Sequence, residues 1–330
     1  MTVRRRLLIA IGSSFVSAAL PSYAQQENVA RVGVLVLRSR STPSNPEPFY
    51  DAFTQAMREL GYVEGKNLVI EARFADGKSE RLPGLAAELI SLKPALIVTH
   101  AMNATEALRR ATSTIPIVVS PMTDPVGRGL AASLARPGGN VTGMSFVGID
   151  VTAKQLELLK TMLPALSHVA VLMNPSNPTH PALQKVVQAY AQQIGVKVLA
   201  VDAGTVEDIE RAFVAMAQER PDAGICLSDP LFTGQRRRIP ELALKHRLPM
   251  IFSQREFVAA GGLMSYGPSL VDFYRGTARY ADKILKGANP GDLPIEQPTR
   301  IHLALSRKTA KTLGLTIPSE LLLRADEAID

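Results

Sequence analysis

The sequence predicts an α/β protein in which two lobes each contain a mostly parallel sheet covered by helices. Short β-branched apolar runs alternate with amphipathic segments of helical length. The runs are continuously apolar, which is typical of parallel strands that are buried on both faces. A glycine-rich segment at 136–150 interrupts this alternation, and a second series begins near residue 152. Two similar series separated by such a break indicate two lobes of one architecture.

The elements follow from the apolar runs and the segments between them. The predicted strands are 31–37, 67–74, 95–100, 115–120, 168–174, 196–202, 223–229 and 249–253, with one more within 296–306. The predicted helices are 48–60, 79–92, 103–111, 152–163, 179–194, 206–219, 233–246, 269–286 and 307–313. Thr205 and Asp208 have the spacing of a capping box, which marks the start of one of these helices. Gly127 and Gly129 are expected to precede a further helix near the cleft.

The chain is expected to pass between the lobes more than once. The first crossing is the glycine-rich segment, and LMSYGP at 263–268 is a second. The first lobe would comprise 25–147 and about 268–291, and the second 148–267 and about 292–330. Several crossings between two lobes form a hinge, in contrast to a single flexible linker.

The N-terminus has the three parts of a secretory signal. Arg4, Arg5 and Arg6 precede an uncharged apolar run at 7–20, and Ser22-Tyr23-Ala24 provides a small-x-Ala cleavage site. The run is shorter than a membrane span requires. No cysteine lies near the cleavage point, so lipid attachment is not expected. We therefore expect cleavage after Ala24, by either the Sec or the twin-arginine route, and a periplasmic protein.

Charge and cysteine content narrow the classes of function that the sequence supports. Removing the three signal arginines lowers the net charge from +7 to +4, and Arg236–Arg238 is the only cluster of basic residues in what remains. This gives little support for nucleic-acid binding. Cys226 is the single cysteine, so no disulfide framework is possible, and its apolar strand predicts a buried side chain.

The sequence contains no recognisable catalytic, metal or cofactor motif. The histidines lack metal-ligand spacing, and G-x-S-x-G, Walker A and H-E-x-x-H motifs are absent. His180, between Pro178 and Pro181, is expected to be solvated. His100 differs because it follows a strand at the edge where a cleft would open. We predict no metal and no cofactor.

Small polar residues follow the predicted strands in both lobes. Ligands of open α/β sheets bind beyond the carboxyl ends of the strands, so these residues are the candidate binding set. They are Ser39, His100, Asn103, Ser120 and Asp124 in the first lobe, and Asn174, Ser176, Asn177, Ser228, Asp229 and Ser253 in the second. Asp229 is the acid best placed to pair with a ligand cation. Its alternative role is the N-cap of the helix that begins at Pro230.

The last third of the chain resembles a family of ABC-transporter periplasmic substrate-binding proteins that includes tryptophan- and tyrosine-binding members. The segments that carry the resemblance are GGLMSYG, ADKILKG, LPIEQPT and KTAKTLGLTIP, with TDPVGRGL and RPGGNVTG upstream. The resemblance covers essentially the whole mature chain. It implies two Rossmann-like lobes of the type I periplasmic-binding fold, with the ligand enclosed between them.

The resemblance also implies roles for particular residues. Ser228-Asp229-Pro230 matches a strand end where amino-acid-binding members meet the ligand ammonium, and 174–178 matches a turn that faces the cleft. His100 and Met102 depart from the glycine- and alanine-rich turn that the family has in this place. An aromatic amino-acid ligand therefore does not follow from the resemblance.

These observations favour an exported solute-binding receptor of an ABC importer, which encloses a small polar, amino-acid-like ligand by hinge motion. Its partners would be that ligand and a membrane permease, with no nucleic acid, and we expect a monomer. One alternative is an exported enzyme that uses His100 as a base in the same cleft. Another is a ligand-sensing module of a membrane receptor.

Overall fold

The computed structural model describes residues 29–40, 48–146, 148–297 and 300–330, so the predicted signal sequence lies outside the described residues. The strands are β1 (Ala30–Val36), β2 (Leu68–Phe74), β3 (Leu96–Thr99), β4 (Ile117–Thr123), β5 (Val141–Phe146), β6 (His168–Met173), β7 (Lys197–Asp202), β8 (Ala223–Cys226), β9 (Met250–Phe252), β10 (Met264–Gly267), β11 (His302–Ser306) and β12 (Glu327–Ile329). The helices are α1 (Pro48–Glu59), α2 (Leu82–Ser91), α3 (Met102–Ala111), α4 (Gly148–Met162), α5 (His180–Gln193), α6 (Val206–Glu219), α7 (Pro230–Gly234), α8 (Arg238–Lys245), α9 (Arg255–Ala259), α10 (Leu270–Leu285), α11 (Arg307–Leu313) and α12 (Ser319–Arg324).

Each lobe is built around one sheet. The sheet of lobe 1 has the order β2-β1-β3-β4-β5, and that of lobe 2 has the order β12-β11-β10-β9-β8-β6-β7. All described neighbours are parallel except β10 and β11, which pair antiparallel. In both sheets the strand order reverses beside the first strand of the lobe, which is where such folds open a ligand crevice. The predicted α/β fold with two parallel-dominated lobes is confirmed.

Both predicted crossings contain a strand that the sequence does not reveal. Residues 141–146 form β5, and 264–267 form β10. Their glycines and polar side chains hide the strand pattern, although most of these side chains are buried. At Gly143 φ is +137°, and a Cβ there would collide with the carbonyl oxygen of Val119. Glycine therefore permits the close approach of β5 to β4.

Other predicted elements differ in detail. The capping box of Thr205 and Asp208 is confirmed at the start of α6. The single helix expected at 233–246 is divided into α7 and α8. The helix expected directly after Gly129 is absent. The segment that begins at Asp124 forms turns instead.

The chain crosses between the lobes at three places. It enters lobe 2 after β5 and returns after β10, and α10 then packs on α1 and on strands β3, β4 and β5 of lobe 1. Ser145 N–H donates to the carbonyl of Glu296, and Ile295 lies in the core of lobe 1. The last crossing therefore comes after Glu296, a few residues later than the sequence places it.

The lobes have separate apolar cores on the two faces of each sheet. Val34, Phe53 and Tyr280 belong to one face of the lobe 1 sheet, and Leu35 and Leu89 belong to the other. In lobe 2, Cys226 is buried beside Phe213, and burial raises the pKa of its thiol well above the ordinary value. Cys226 is thus a core residue, as predicted. Among the residues that the structure describes, no helix has both the length and the apolar character needed to cross a membrane.

Candidate ligand-binding cleft

A cavity lies between the lobes, at the carboxyl ends of both sheets. Lobe 1 contributes residues at the ends of β1, β3, β4 and β5 together with one face of α10, and lobe 2 contributes the ends of β6, β8 and β9. The polar residues that line it are Arg38, His100, Thr123, Tyr274, Asn177, Thr179, Ser228, Asp229, Thr233 and Gln254. The apolar side chains include Met102, Phe146, Leu183 and Leu270. The cavity is therefore amphipathic and is shared by the two lobes.

Asp229 is the acidic residue of this cavity. Its side chain is 2% exposed. Oδ1 accepts hydrogen bonds from Leu231 N (2.7 Å) and Asn174 Nδ2 (3.2 Å), and Oδ2 accepts one from Asn177 Nδ2 (2.8 Å). The bond from Leu231 is the N-cap contact of α7. No lysine or arginine among the described residues pairs with the carboxylate, so neutral donors alone balance a buried charge.

The turn at 174–178 positions this carboxylate. Asn174 Oδ1 accepts from Ser176 N, and Asn177 Oδ1 accepts from both Thr179 N and Thr179 Oγ1. With the amide oxygens occupied in this way, the two Nδ2 groups are oriented toward Asp229. The turn thus holds two amide donors, Asn174 Nδ2 and Asn177 Nδ2, in fixed positions beside the carboxylate.

His180 is fully buried, in contrast to the solvated position expected from its flanking prolines. Its Nδ1 accepts from Asn174 N (2.8 Å), so the proton is on Nε2, which donates to the carbonyl of Ser228 (3.0 Å). Burial lowers the pKa of His180, and the Asp229 carboxylate partly opposes this shift. A neutral imidazole therefore joins the turn at 174–178 to the strand end that carries Asp229.

The wall that lobe 1 contributes has a different character. Arg38 is 6% exposed, and its guanidinium donates to Tyr274 Oη (3.2 Å). The ring of His100 lies 5.4 Å from that of Tyr274, centroid to centroid. His100 is 9% exposed, and its Nε2 is buried without a hydrogen-bond partner in the described structure. Burial and the charge of Arg38 lower the pKa of His100 well below its ordinary value, so its imidazole is neutral.

Gln254 and Thr233 complete the lobe 2 wall. Thr233 Oγ1 lies within hydrogen-bond distance of both the Asp229 carbonyl (2.9 Å) and Gln254 Oε1 (3.1 Å), and Gln254 Nε2 lies 3.5 Å from Ser228 Oγ. Ser253 is buried beneath this wall, where its Oγ accepts from Gln155 Nε2. None of these contacts supplies a nucleophile with a base. No group of three or more His, Cys, Asp or Glu side chains in the described segments has an arrangement that could hold a metal ion.

The structure brings together only part of the predicted binding set. His100, Asn177, Ser228 and Asp229 line the cavity. Asn174, Ser120 and Ser253 are buried behind its walls, where Ser120 Oγ donates to the carbonyl of Phe273. Ser39 is exposed beside a separate cavity that also borders Asp76. Asp124 is exposed as well, because its carboxylate accepts from Gly127 N in a surface turn.

Asn103 and Ser176 lie at the rim, where the lobes touch. Asn103 Nδ2 of lobe 1 donates to the carbonyl of Ser176 in lobe 2 (3.1 Å). Beside it, Arg128 of lobe 1 donates to the carbonyl of Pro178 (2.7 Å). Both acceptors belong to the turn that holds Asp229. The lobes therefore adopt a closed arrangement, in which these two hydrogen bonds connect them at the turn.

Sequence reasoning missed several residues of the site. Arg38 shares its strand end with Ser39, but the alternation of side chains turns Arg38 into the cavity and Ser39 to the surface. Gln254 adjoins Ser253 and could have been found in the same way. Tyr274 lies within an amphipathic helix, and no local signal distinguishes it from a core residue.

The chain matches known proteins over most of its length. Residues 33–329 match the model of the family described as ABC transporter substrate binding protein. A tyrosine-binding protein of Clostridioides difficile is 27% identical over 264 residues, which are 80% of this chain and 75% of that protein.

Two solved structures show the fold in two states. An ABC domain of Streptococcus pneumoniae in complex with L-Trp is 26% identical and covers 91% of this chain and 99% of its own, with a TM-score of 0.82. A ligand-free, open substrate-binding protein of Clostridium difficile is 25% identical with the same coverage, and its TM-score is 0.62. At comparable identity, the described structure is thus more similar to the liganded relative than to the open one.

Proposed function

Because the chain belongs to the ABC transporter substrate-binding protein family, we propose that it is an exported receptor of an ABC importer that encloses an amino-acid-like ligand between its lobes. Asp229 carries this proposal. A buried carboxylate that lines an interlobe cavity and has only neutral partners is suited to bind a ligand ammonium group. The tyrosine- and L-Trp-binding relatives support a ligand with such a group. The permease would recognise the closed form that the ligand stabilises.

The first test is mass spectrometry of protein purified from the exported fraction of the producing cell. The denatured protein is expected to begin at Gln25 and to carry no lipid. Under native conditions we expect an additional small mass, released unchanged as an amine-containing compound. A retained segment 1–24 or an added diacylglycerol would contradict the export proposal.

The same protein distinguishes a receptor from an enzyme. A receptor binds one equivalent of the released compound and returns it unchanged after prolonged incubation with an excess. If His100 acts as a base in the cleft, as in the enzyme alternative, the excess is converted into a product of different mass. Such conversion would contradict the proposed function.

Closure is the second part of the proposal, and the contacts of the turn at 174–178 support it. Since Arg128 bonds to Pro178 only when the lobes meet, Arg128→Ala should destabilise the closed state selectively. A charge-assisted hydrogen bond at a half-buried site contributes about 1 kcal/mol, so we expect bound ligand to dissociate about fivefold faster. Rapid-mixing measurements of the association and dissociation rates check this.

Arg109→Ala is the matched control for Arg128→Ala. Arg109 borders the same surface cavity as Arg128, but it is exposed and forms no bond to the described residues of lobe 2. Its replacement removes the same charge and is expected to leave the dissociation rate unchanged. Equal ligand dissociation rates for the two variants would show that Arg128 does not stabilise the closed state.

A further inference from the structure

A groove on the surface of lobe 1 lies outside the ligand cavity, beside the rim where the lobes touch. We call it the arginine groove, and its lining residues are Met102, Glu106, Arg109, Arg110, Arg128 and Leu130. The three arginines and the single glutamate give it a formal charge of +2. A cleft lined mainly by one sign of charge concentrates ions of the opposite sign, so this groove attracts anions.

The donors of these arginines are only partly used within the protein. Arg109 and Arg110 are exposed, and neither forms an ion pair or a side-chain hydrogen bond with another described residue. Arg128 Nη1 lies 3.7 Å from Glu106 Oε1, which is a long ion pair. Arg128 Nε is buried and has no hydrogen-bond partner in the described structure. A bound acceptor would remove the free-energy cost of this unpaired donor.

The origin of the three arginines favours a bound ligand over a purely structural role. Arg109 and Arg110 are in the last turn of α3, where positive side chains stabilise a helix through its dipole. This explains two of the charges but not the third, because Arg128 comes from the turns that follow β4. Two chain segments thus bring three guanidinium groups to one groove, and guanidinium groups are well suited to bind the oxygens of anions such as phosphate.

We infer that the arginine groove binds a small oxyanion from solution, such as inorganic phosphate or sulfate, and that this anion stabilises the closed arrangement of the lobes. The inference goes beyond the proposed function, because it assigns a second site outside the ligand cavity. Phosphate and sulfate share the chemistry that the groove recognises, which is a compact anion with several acceptor oxygens.

Arg128 connects this site to closure. The same guanidinium that lines the groove donates through Nη2 to the carbonyl of Pro178 in lobe 2 (2.7 Å). Met102 is a second connection, because it lines both the arginine groove and the ligand cavity. An anion that fixes the Arg128 guanidinium should therefore strengthen ligand binding. By linkage, the cavity ligand should strengthen anion binding by the same factor.

Calorimetric titration of the full mature protein with inorganic phosphate tests the site directly. Sodium chloride holds the ionic strength constant, so that general screening does not contribute. We expect one equivalent of phosphate to bind. Arg110→Ala is expected to weaken this binding about tenfold, because it removes a charge-assisted hydrogen bond. Glu106→Gln is expected to strengthen it about threefold, because one negative charge leaves the groove.

Arg58→Ala is the matched control for Arg110→Ala. Arg58 is also exposed in the last turn of a helix, α1, but it does not line the arginine groove. Its replacement removes the same charge from the protein and is expected to leave phosphate binding unchanged. Equal weakening by the two variants would mean that positive helix ends in general attract phosphate, and would overturn the inference.

The effect on closure is measured with a cavity ligand. Saturating phosphate is expected to slow dissociation of L-tyrosine about fivefold, the lower end of the usual coupling between two sites. If L-tyrosine does not bind, the compound that the native protein releases takes its place. In buffer free of phosphate and sulfate, Arg109→Ala and Arg110→Ala are expected to leave this rate unchanged. The phosphate concentration that saturates the unmodified protein should slow dissociation less in either variant.

The outcomes separate this inference from the proposed function, because the phosphate titration needs no cavity ligand. Absence of phosphate binding would overturn the site, whatever the cavity binds. An unchanged dissociation rate at saturating phosphate would overturn its link to closure. Co-sedimentation with phosphatidylglycerol vesicles distinguishes free phosphate from a lipid headgroup. Binding to these vesicles that requires Arg110, without binding of free phosphate, would also contradict the inference.

Discussion

Asp229→Asn is expected to weaken binding of an amino-acid ligand by about thirtyfold to several-thousandfold. The substitution removes the negative charge of the cavity, and loss of one partner from a buried charge pair costs about 2–5 kcal/mol. The new side-chain oxygen can still accept from Leu231 N, so the cap of α7 remains. Calorimetric titration with L-amino acids gives the affinity, and chemical denaturation gives the stability.

The local contacts add a smaller cost in stability. Asn177 Nδ2 donates to Oδ2 of Asp229, and an amide nitrogen at that place would face it as a second donor. Loss of this bond lowers the free energy of unfolding by about 1–3 kcal/mol, well below what unfolding the lobe requires. Asp202→Asn is the matched control, because Asp202 is exposed at the end of β7. If affinity is nearly normal in Asp229→Asn, then Asp229 is only a helix cap.

The position of Asp229 could be predicted because two general rules converge on it. Parallel strands place their carboxyl ends at one edge, and a polar residue that follows an apolar run lies at that edge. The same rule predicts His100, Asn177 and Ser228, which also line the cavity. The rule does not determine which of two adjacent residues faces the cavity, so it also predicts Ser39 and Asp124, both of which are exposed.

The parts of the site that the sequence does not reveal depend on contacts between distant segments. Tyr274 reaches Arg38 across 236 positions of sequence, because the crossing after β10 returns α10 to lobe 1. No local pattern encodes that return. Strand β5 is not apparent in the sequence for a related reason. Gly143 permits the close approach of β5 to β4, and it has no side chain that could contribute to an apolar strand pattern.

His180→Phe is expected to lower the free energy of unfolding by about 2–5 kcal/mol and to weaken ligand binding as well. A phenyl ring is close to imidazole in size, so the effect isolates the two hydrogen bonds. The buried N–H of Asn174 and the carbonyl of Ser228 would each lose a partner, at about 1–3 kcal/mol per group. Because these two residues hold the strand end and turn around Asp229, its carboxylate would lose its fixed position.

Denaturant titration and calorimetry check both effects, and His246→Phe is the control. His246 stacks on Phe213, and its imidazole forms no hydrogen bond within the described part of the chain, so a phenyl ring should replace it with little change. If His180→Phe is as stable as His246→Phe, then His180 only fills space. The sequence position of His180 between two prolines gave no indication of this role.

The pH dependence of stability gives an independent test of His180. Burial keeps its pKa in the folded protein below the unfolded value of about 6.5, so as the pH falls below 6.5 the unfolded chain binds a proton before the folded one does. The contribution of the neutral imidazole is therefore complete above pH 6.5 and decreases as the pH is lowered toward the folded-state pKa. His100 is shifted in the same direction and remains in the His180→Phe variant. The stability of that variant should thus fall less steeply between pH 7 and pH 5 than that of the unmodified protein, and an equal slope would mean that His180 is not held neutral by the fold.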